Sequence, residues 1–248
     1  MFFKHSLVAL ALALTPNVYA FSGKNLRIMP LGGTSPLSAN STCWLLTTRT
    51  STASITYGTG SSEGNGYRGT LYQSLVNDGN TVDMVGSQQG GNVDPDNEGY
   101  PGAIISEVID KGQAAMPTYR PNIVTILVGT NDMVQNIADG APDRLGTLID
   151  DILDWDWLTL VVVSTLPPNG NGDANGRVDT YNSAMAGVVQ QRVDAGRSVV
   201  LVDSHAVVAL EDLVDGTHPN DAAYDRMASQ FYEGIKLAET KGWIFDVA

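Results

Sequence analysis

The stretch of residues 123–132, with the sequence IVTILVGTND, joins an apolar run to polar residues that follow it directly. Its first six residues are apolar or β-branched on both faces, which is typical of a central strand in a parallel sheet. Four other short runs have the same character and end at or just before a Gly, a Pro or an Asp: 26–32, 82–85, 158–166 and 199–202. The sequence therefore predicts five strands.

Segments with helical spacing of apolar residues lie between these runs. Leu71 and Leu75 share one helix face, and Ile105 and Ile109 share another. Strand–helix alternation of this kind predicts one α/β domain with three layers, α/β/α, around a five-stranded parallel sheet of the flavodoxin-like type. The predicted helices occupy residues 67–75, 104–114, 145–153, 181–193 and 222–238.

Composition restricts the class of function. The chain has 248 residues, of which 43% are hydrophobic and 17% charged, and this excludes a disordered or fibrous protein. Its net charge of −13 repels phosphate backbones and anionic lipid heads, so we expect neither a nucleic-acid partner nor a membrane partner. Cys43 is the one cysteine, so neither an intramolecular disulfide nor a cysteine-based metal cluster is possible.

The first twenty residues resemble an export signal. Lys4 precedes an apolar run at 7–14 that is too short to span a bilayer, and the small residue Ala20 ends the segment. We therefore expect cleavage after Ala20 and an extracellular mature domain at 21–248. A buried N-terminal helix is the alternative.

Segment 33–53 differs from the rest of the chain. Ten of its twenty-one residues are Ser or Thr, its one charge is Arg49, and it holds the sequon at Asn40. A long insert between a strand and the tight turn after it is unusual. The codons of residues 33 and 52–53 can contain the donor and acceptor sequences of an intron. Splicing there would remove twenty residues in frame and leave one alanine between Gly32 and Ser54. We interpret 33–53 as a retained-intron insert, and a glycosylated Ser/Thr-rich loop is the alternative.

Four blocks in order resemble the SGNH (GDSL-like) hydrolases over nearly all of the mature chain. The first departs from the family's G-D-S-x-T, because Ala53 stands where the family has Asp. The stretch around residues 82–103 further resembles carbohydrate esterase family three, the acetylxylan-esterase branch. The blocks are Gly32 continued by 53–56, then 98–102, 129–132 and 215–219.

The resemblance implies a nucleophile, a base and an oxyanion hole. Ser54 would be the nucleophile, because a serine hydroxyl attacks once a base takes its proton. His218 would be that base, and Asp215, three residues earlier, would hold its imidazole in the required tautomer. The developing oxyanion would be bound by the amides of Ser54 and Gly102 and by the side chain of Asn131.

Structural alternatives exist for several of these residues. Asn131 and Asp132 could simply cap the helix that follows them, without a role in catalysis. Gly86 rivals Gly102, which we prefer because it opens a helix, where an exposed amide can face an anion. We expect His205 to be structural, since the pair near the C-terminus already supplies a base. The acidic loop 94–98 could hold Ca²⁺ but lacks the spacing of a calcium loop, so we expect a solvated loop.

The tryptophans of the run Asp154–Trp157 could form a sugar-stacking surface, but we expect a helix end with one buried tryptophan. Thr34 and Ser35 would occupy the turn if segment 33–53 is native.

The sequence thus predicts a secreted, monomeric serine esterase that acts without a metal or another cofactor. Its substrate would be an acylated polysaccharide or a small ester, and the resemblance favours acetyl groups on plant cell-wall polysaccharide such as xylan. Three alternatives remain: a lipid or general short-chain ester hydrolase, a form impaired by the insert or binding sugar without turnover, and a flavodoxin-like nucleotide binder.

Overall fold

The computed structural model describes residues 21–34 and 54–247, and seven strands form its central sheet. The predicted signal peptide at 1–20 and most of segment 33–53 lie outside these residues. The strands are β1 (Asn25–Thr34), β2 (Thr81–Met84), β3 (Gln88–Gln89), β4 (Asp96–Pro101), β5 (Ile123–Val128), β6 (Leu160–Ser164) and β7 (Val199–Val202).

The five predicted strands are confirmed and run parallel in the order β2, β1, β5, β6, β7. This is the flavodoxin-like order. Strand β4 also pairs in parallel with β1, from Leu31–Glu98 to Thr34–Pro101. The first half of β1 thus pairs with β2 and its second half with β4. Strand β3 pairs antiparallel with β4.

The expectation of a solvated acidic loop at 94–98 was wrong for its second half, which belongs to β4. The polar sequence DNEGYP carries no strand pattern, because its pairing with β1 depends on backbone groups rather than on alternating side chains.

The five predicted helices are present, each longer than expected, with one short helix in addition. Helix α1 packs on α6 on one side of the sheet, and α4 packs on both α2 and α5 on the other. Three layers result, as predicted. The helices are α1 (Tyr67–Asn77), α2 (Ile105–Tyr119), α3 (Thr130–Val134), α4 (Ala141–Trp155), α5 (Gly172–Asp194) and α6 (Asp221–Thr240). Within the described ranges, no helix is long and apolar enough to cross a membrane.

The core follows the central strands. Every residue of β5 is buried, which explains the unbroken apolar run in its sequence. Gly32 in β1 lies so close to β5 that an added Cβ would stand 2.2 Å from the carbonyl oxygen of Leu127. A side chain at this position would therefore force the two central strands apart.

Strand β1 extends two residues beyond its predicted end, so Gly33 and Thr34, the first two residues of segment 33–53, pair with neighbouring strands of the sheet. Gly33 is buried, and a Cβ there would lie 2.5 Å from the carbonyl oxygen of Ala103. The alanine that would follow Gly32 in the joined chain must therefore adopt a different backbone position.

Candidate active site

The Asp215–His218 turn holds the two residues in one unit. The carboxylate of Asp215 accepts hydrogen bonds from the backbone amides of Thr217 (3.0 Å) and His218 (2.8 Å). Its other oxygen lies 2.7 Å from Nδ1 of His218. The turn is closed by a bridge between Leu213 and Pro219. The spacing of three residues therefore fixes the imidazole by contacts within a single turn.

These contacts also keep Asp215 charged. Its partial burial raises the pKa of the carboxyl, but hydrogen bonds from the His218 amide and ring and from the Thr217 amide outweigh burial and lower that pKa from its ordinary value. An ionised Asp215 can stabilise the imidazolium that a histidine base becomes.

The second ring nitrogen of His218 is free for chemistry. The side chain is only 1% exposed, and Nε2 has no hydrogen-bond partner among the residues that the structure describes. A buried polar atom without a partner is uncommon and calls for an explanation. With Asp215 on Nδ1, the unpartnered Nε2 is available to accept a proton from a nucleophile.

Ser54 is buried at the start of the tight turn that leads to α1. Its carbonyl accepts the amides of Gly58 and Thr59, both at 3.0 Å, and its Oγ accepts the amide of Tyr57 at 3.2 Å. Its own amide donates to Oγ1 of Thr59 at 2.8 Å. The amide that we expect in the oxyanion hole is thus engaged within the turn in this structure.

The serine turn packs against the histidine loop. A Cβ added at Gly60 would lie 3.1 Å from Cβ of His218 and 2.7 Å from the carbonyl oxygen of Pro219. Next to it, the carbonyl of Thr59 accepts the hydroxyl of Tyr224 in α6 at 2.5 Å. The structure therefore brings the Ser54 turn to His218, although Oγ of Ser54 and Nε2 of His218 are not hydrogen-bonded.

The two other expected oxyanion donors lie together. Nδ2 of Asn131 donates to the carbonyl of Ala103 at 2.6 Å, so the Asn131 amide touches the residue next to Gly102. Asn131 is fully buried, and its Oδ1 has no partner in the described part of the chain. The amide group has a second N–H that this bond does not use. Gly102 stands between β4 and α2 rather than at the first turn of the helix.

Asp132 has a positioning role that the sequence did not reveal. Its Oδ2 accepts the amide of Ile105, the first residue of α2, at 3.0 Å, and its Oδ1 lies 2.8 Å from the Arg144 guanidinium. Burial raises the pKa of Asp132, although the bonds from Arg144 and Ile105 oppose this. Asp132 therefore caps the first amide of α2, three residues after Gly102, although it lies in the short helix α3.

Two rival candidates have other contacts. Nδ1 of His205 lies 3.1 Å from the carbonyl of Leu166, and its Nε2 is 3.5 Å from Asp179, which fits the structural role we expected. Gly86 packs so tightly that a Cβ would stand 2.1 Å from the backbone of Asn97. Close packing accounts for a glycine there without any role in anion binding.

The run Asp154–Trp157 ends α4 as predicted, but the expectation of one buried tryptophan was wrong. Trp155 is 40% exposed and Trp157 is 68% exposed. Trp155 is the last residue of α4 and Trp157 lies in the turn that leads to β6, so both indoles lie largely at the surface. Asp94, in the loop considered for Ca²⁺, accepts the amide of Met84. Over residues 21–34 and 54–247, no group of three His, Cys, Asp or Glu side chains could hold a metal ion.

Comparisons with known proteins find related sequences and related folds. The sequence model of the GDSL-like Lipase/Acylhydrolase family matches residues 53–226. A "Multidomain esterase" of Ruminococcus flavefaciens is 30% identical over 214 residues, which are 74% of this chain and 27% of that protein. The chain thus spans about a quarter of the length of this relative.

Among solved structures, the "Clostridium thermocellum family 3 carbohydrate esterase" superposes with a TM-score of 0.72 and 26% identity, over 88% of this chain and 98% of that one. A carbohydrate esterase family 3 protein from Talaromyces cellulolyticus gives a TM-score of 0.69 at 22% identity, over 87% and 99% of the two chains, and shows the common fold.

Proposed function

Because the chain belongs to the GDSL-like lipase/acylhydrolase family, we propose that it is a serine esterase that removes short acyl groups, acetyl foremost, from plant cell-wall polysaccharide such as xylan. Ser54 is the nucleophile, His218 the general base and Asp215 its orienting carboxylate. We further propose that residues 1–20 direct the protein out of the cell and that the domain at 21–248 acts as a monomer without a cofactor.

One observation carries the proposal: Asp215 lies 2.7 Å from Nδ1 of a buried histidine whose Nε2 has no partner among the described residues. A nucleotide binder would have no use for this arrangement, whereas a serine nucleophile is activated by a histidine held in this way. The adjoining serine turn supplies the hydroxyl. The family supplies the reaction class, which is ester hydrolysis.

The reaction proceeds through an acyl-enzyme. Oγ of Ser54 attacks the ester carbonyl carbon while Nε2 of His218 takes its proton. Asn131 and Gly102 donate hydrogen bonds to the oxyanion that forms. The imidazolium then gives its proton to the departing sugar oxygen as the ester C–O bond breaks. Water then attacks the acyl-serine while His218 takes one of its protons. The imidazolium returns that proton to Oγ of Ser54 as the bond between the acyl carbon and Oγ breaks and the carboxylic acid leaves.

The preference for acetylated carbohydrate is supported by similarity. The Clostridium thermocellum and Talaromyces structures are described as carbohydrate esterases of family 3, and the Ruminococcus relative as an esterase. The net charge of −13 supports an uncharged polymer over an anionic surface as the partner.

A chromogenic ester series tests the proposal. The purified protein should hydrolyse a p-nitrophenyl acetate faster than the octanoate and should release acetate from acetylated xylan. A serine-directed organophosphonate should abolish both activities and label Ser54, while Ser54→Ala should remain unlabelled. Faster turnover of the octanoate without release of acetate would favour a lipid or general ester hydrolase. No turnover and no labelling would contradict an esterase.

A further inference from the structure

Arg68, in the first turn of α1, is completely buried, and its guanidinium faces backbone oxygen atoms. Nε donates to one carbonyl and Nη1 to a second, and the two N–H groups of Nη2 are shared among three more. The acceptors are the carbonyls of Thr56 (2.9 Å), Pro95 (3.4 Å), Tyr57 (3.1 Å), Gly64 (3.2 Å) and Gly90 (2.7 Å).

This cation lacks the usual partner. None of the ion pairs found among residues 21–34 and 54–247 includes Arg68. Burial lowers the pKa of Arg68. Burying a charge is costly unless hydrogen bonds replace its hydration, and the five carbonyl groups do so here. An apolar side chain could fill the same volume without that cost, so the guanidinium must perform a task that needs its donors.

The carbonyls that it binds belong to two segments. Three lie in the serine turn at 54–66. The other two lie in the segment 88–95, called here the 88–95 loop, which consists of β3 and the residues that lead from it into β4. Thr56 and Tyr57 come two and three residues after Ser54, and the amide of Tyr57 donates to Oγ of Ser54. The guanidinium is therefore linked to the nucleophile through the Thr56–Tyr57 peptide.

We propose that Arg68 is a positioning residue that sets the place of Ser54 by anchoring the serine turn to the 88–95 loop. The proposal rests on the proposed role of Ser54 as nucleophile. Arg68 does not touch the substrate, and its effect reaches the reaction through the backbone that carries the serine oxygen. A displacement of about 1 Å in a reacting group can reduce the rate about 10²-fold.

Other contacts hold the same two segments together, so loss of Arg68 should loosen the turn without unfolding the domain. The hydroxyl of Tyr57 donates to the carbonyl of Gln89 at 2.8 Å. Oδ1 of Asn65 accepts the amides of Asn92 and Val93 at 2.8 and 3.0 Å. These bonds remain when Arg68 is replaced.

The test compares Arg68→Met, Arg68→Lys and a matched control, Arg192→Met. Methionine keeps the apolar stem and removes all donors, while lysine keeps the charge in a smaller head. Arg192 in α5 is also largely buried, bonds both oxygens of Asp150 and the carbonyl of Val188, and makes no contact with the serine turn. The kcat, counted per serine labelled by organophosphonate, and KM are measured on p-nitrophenyl acetate. Amide hydrogen exchange is followed at Gly58 and Thr59.

We expect kcat per labelled serine to fall by about 10²-fold in Arg68→Met and by less in Arg68→Lys, with KM changed less than about twofold. Exchange at Gly58 and Thr59 should become faster in both variants and stay unchanged in Arg192→Met. A purely structural arginine would lower the melting temperature and leave kcat per labelled serine unaltered.

A kcat in folded Arg68→Met within about twofold of the wild-type value would overturn the proposal. If that variant does not fold, Arg68→Lys is judged by the same threshold, and if neither folds, Arg68 belongs to the fold and the positioning role is wrong. A wild-type protein without turnover would instead contradict the proposed function. Exchange at Gly58 and Thr59 would then decide whether Arg68 anchors the serine turn.

Discussion

Asp215 binds His218 twice, at the backbone amide and at Nδ1, with distances of 2.8 and 2.7 Å. One carboxylate therefore fixes both the backbone and the ring of the candidate base. The opposite ring nitrogen is left without a partner among the described residues. This relationship underlies the first two predictions.

The first prediction concerns the three candidate catalytic residues. Ser54→Ala and His218→Ala should each lose at least about 10³-fold in kcat on p-nitrophenyl acetate, because the nucleophile and the base act as a unit. Asp215→Asn should lose somewhat less, since asparagine can keep the turn but not the charge. Circular dichroism should show folded protein in each case. Turnover close to wild type in Ser54→Ala would exclude this serine and direct attention to Thr34 and Ser35.

The second prediction concerns pH. Proton transfer requires neutral His218, so kcat/KM should rise with pH through one ionisation in the range of about 5 to 8 where histidines titrate. The pKa of Asp215 is lowered, so its carboxylate stays charged throughout this range. Asp215→Asn should therefore change the height of the profile more than its number of ionisations. A profile that is flat from pH 5 to 8 would exclude histidine as the base.

The third prediction concerns Asn131. Asn131→Ala should lower kcat by about 10²-fold, which is the usual effect of removing one oxyanion donor, with a smaller change in KM. Asn136→Gly, at an exposed asparagine with φ 58° in the loop after α3, provides a surface control and should leave kcat unchanged. An equal loss in both variants would show that Asn131 acts through stability. Urea unfolding of the two variants separates these effects.

The fourth prediction concerns Asp132. An asparagine there can accept from Ile105 or Arg144 but not from both, so Asp132→Asn should cost about 1–3 kcal/mol of stability. Asp150→Asn breaks the pair with Arg192, in which the Asp150 side chain is 49% exposed, and should cost less than about 1 kcal/mol. Midpoints of urea unfolding give both values. Equal losses of unfolding free energy in the two variants would mean that the buried Asp132 contacts stabilise the fold no more than the exposed pair does.

The fifth prediction concerns segment 33–53. The family match begins at residue 53, yet β1 at Asn25–Thr34 is a central strand of the same sheet, which supports an insertion between them. The chain joined as Gly32–Ala–Ser54 should be more stable and far more active than the full chain, because a short link fixes Ser54 to the end of β1. Side-by-side kinetics and thermal unfolding measure both. Equal activity, or transcripts that mainly retain the segment, would make Asn40 a glycosylation site on a native loop.

Local patterns in the sequence were sufficient for much of the fold. The apolar run at Ile123–Val128 predicted a buried central strand, and the strand–helix alternation predicted the three layers, because periodicity records which face of each element avoids water. The pair Asp215–His218 was predictable for a related reason. Three residues in one turn place a carboxylate beside an imidazole whatever the rest of the chain does.

The tertiary structure alone decided the remaining contacts. Strand β4 has no strand pattern and exists because β1 offers it backbone partners. Asp132 accepts a hydrogen bond from the amide of Ile105, 27 positions away, and Arg68 donates to carbonyls of two separate segments. Such contacts depend on which loops the packed sheet brings to one edge. The sequence by itself determined the five central strands, the five long helices and the His218 turn, while long-range packing determined how the serine turn and the oxyanion donors are placed around them.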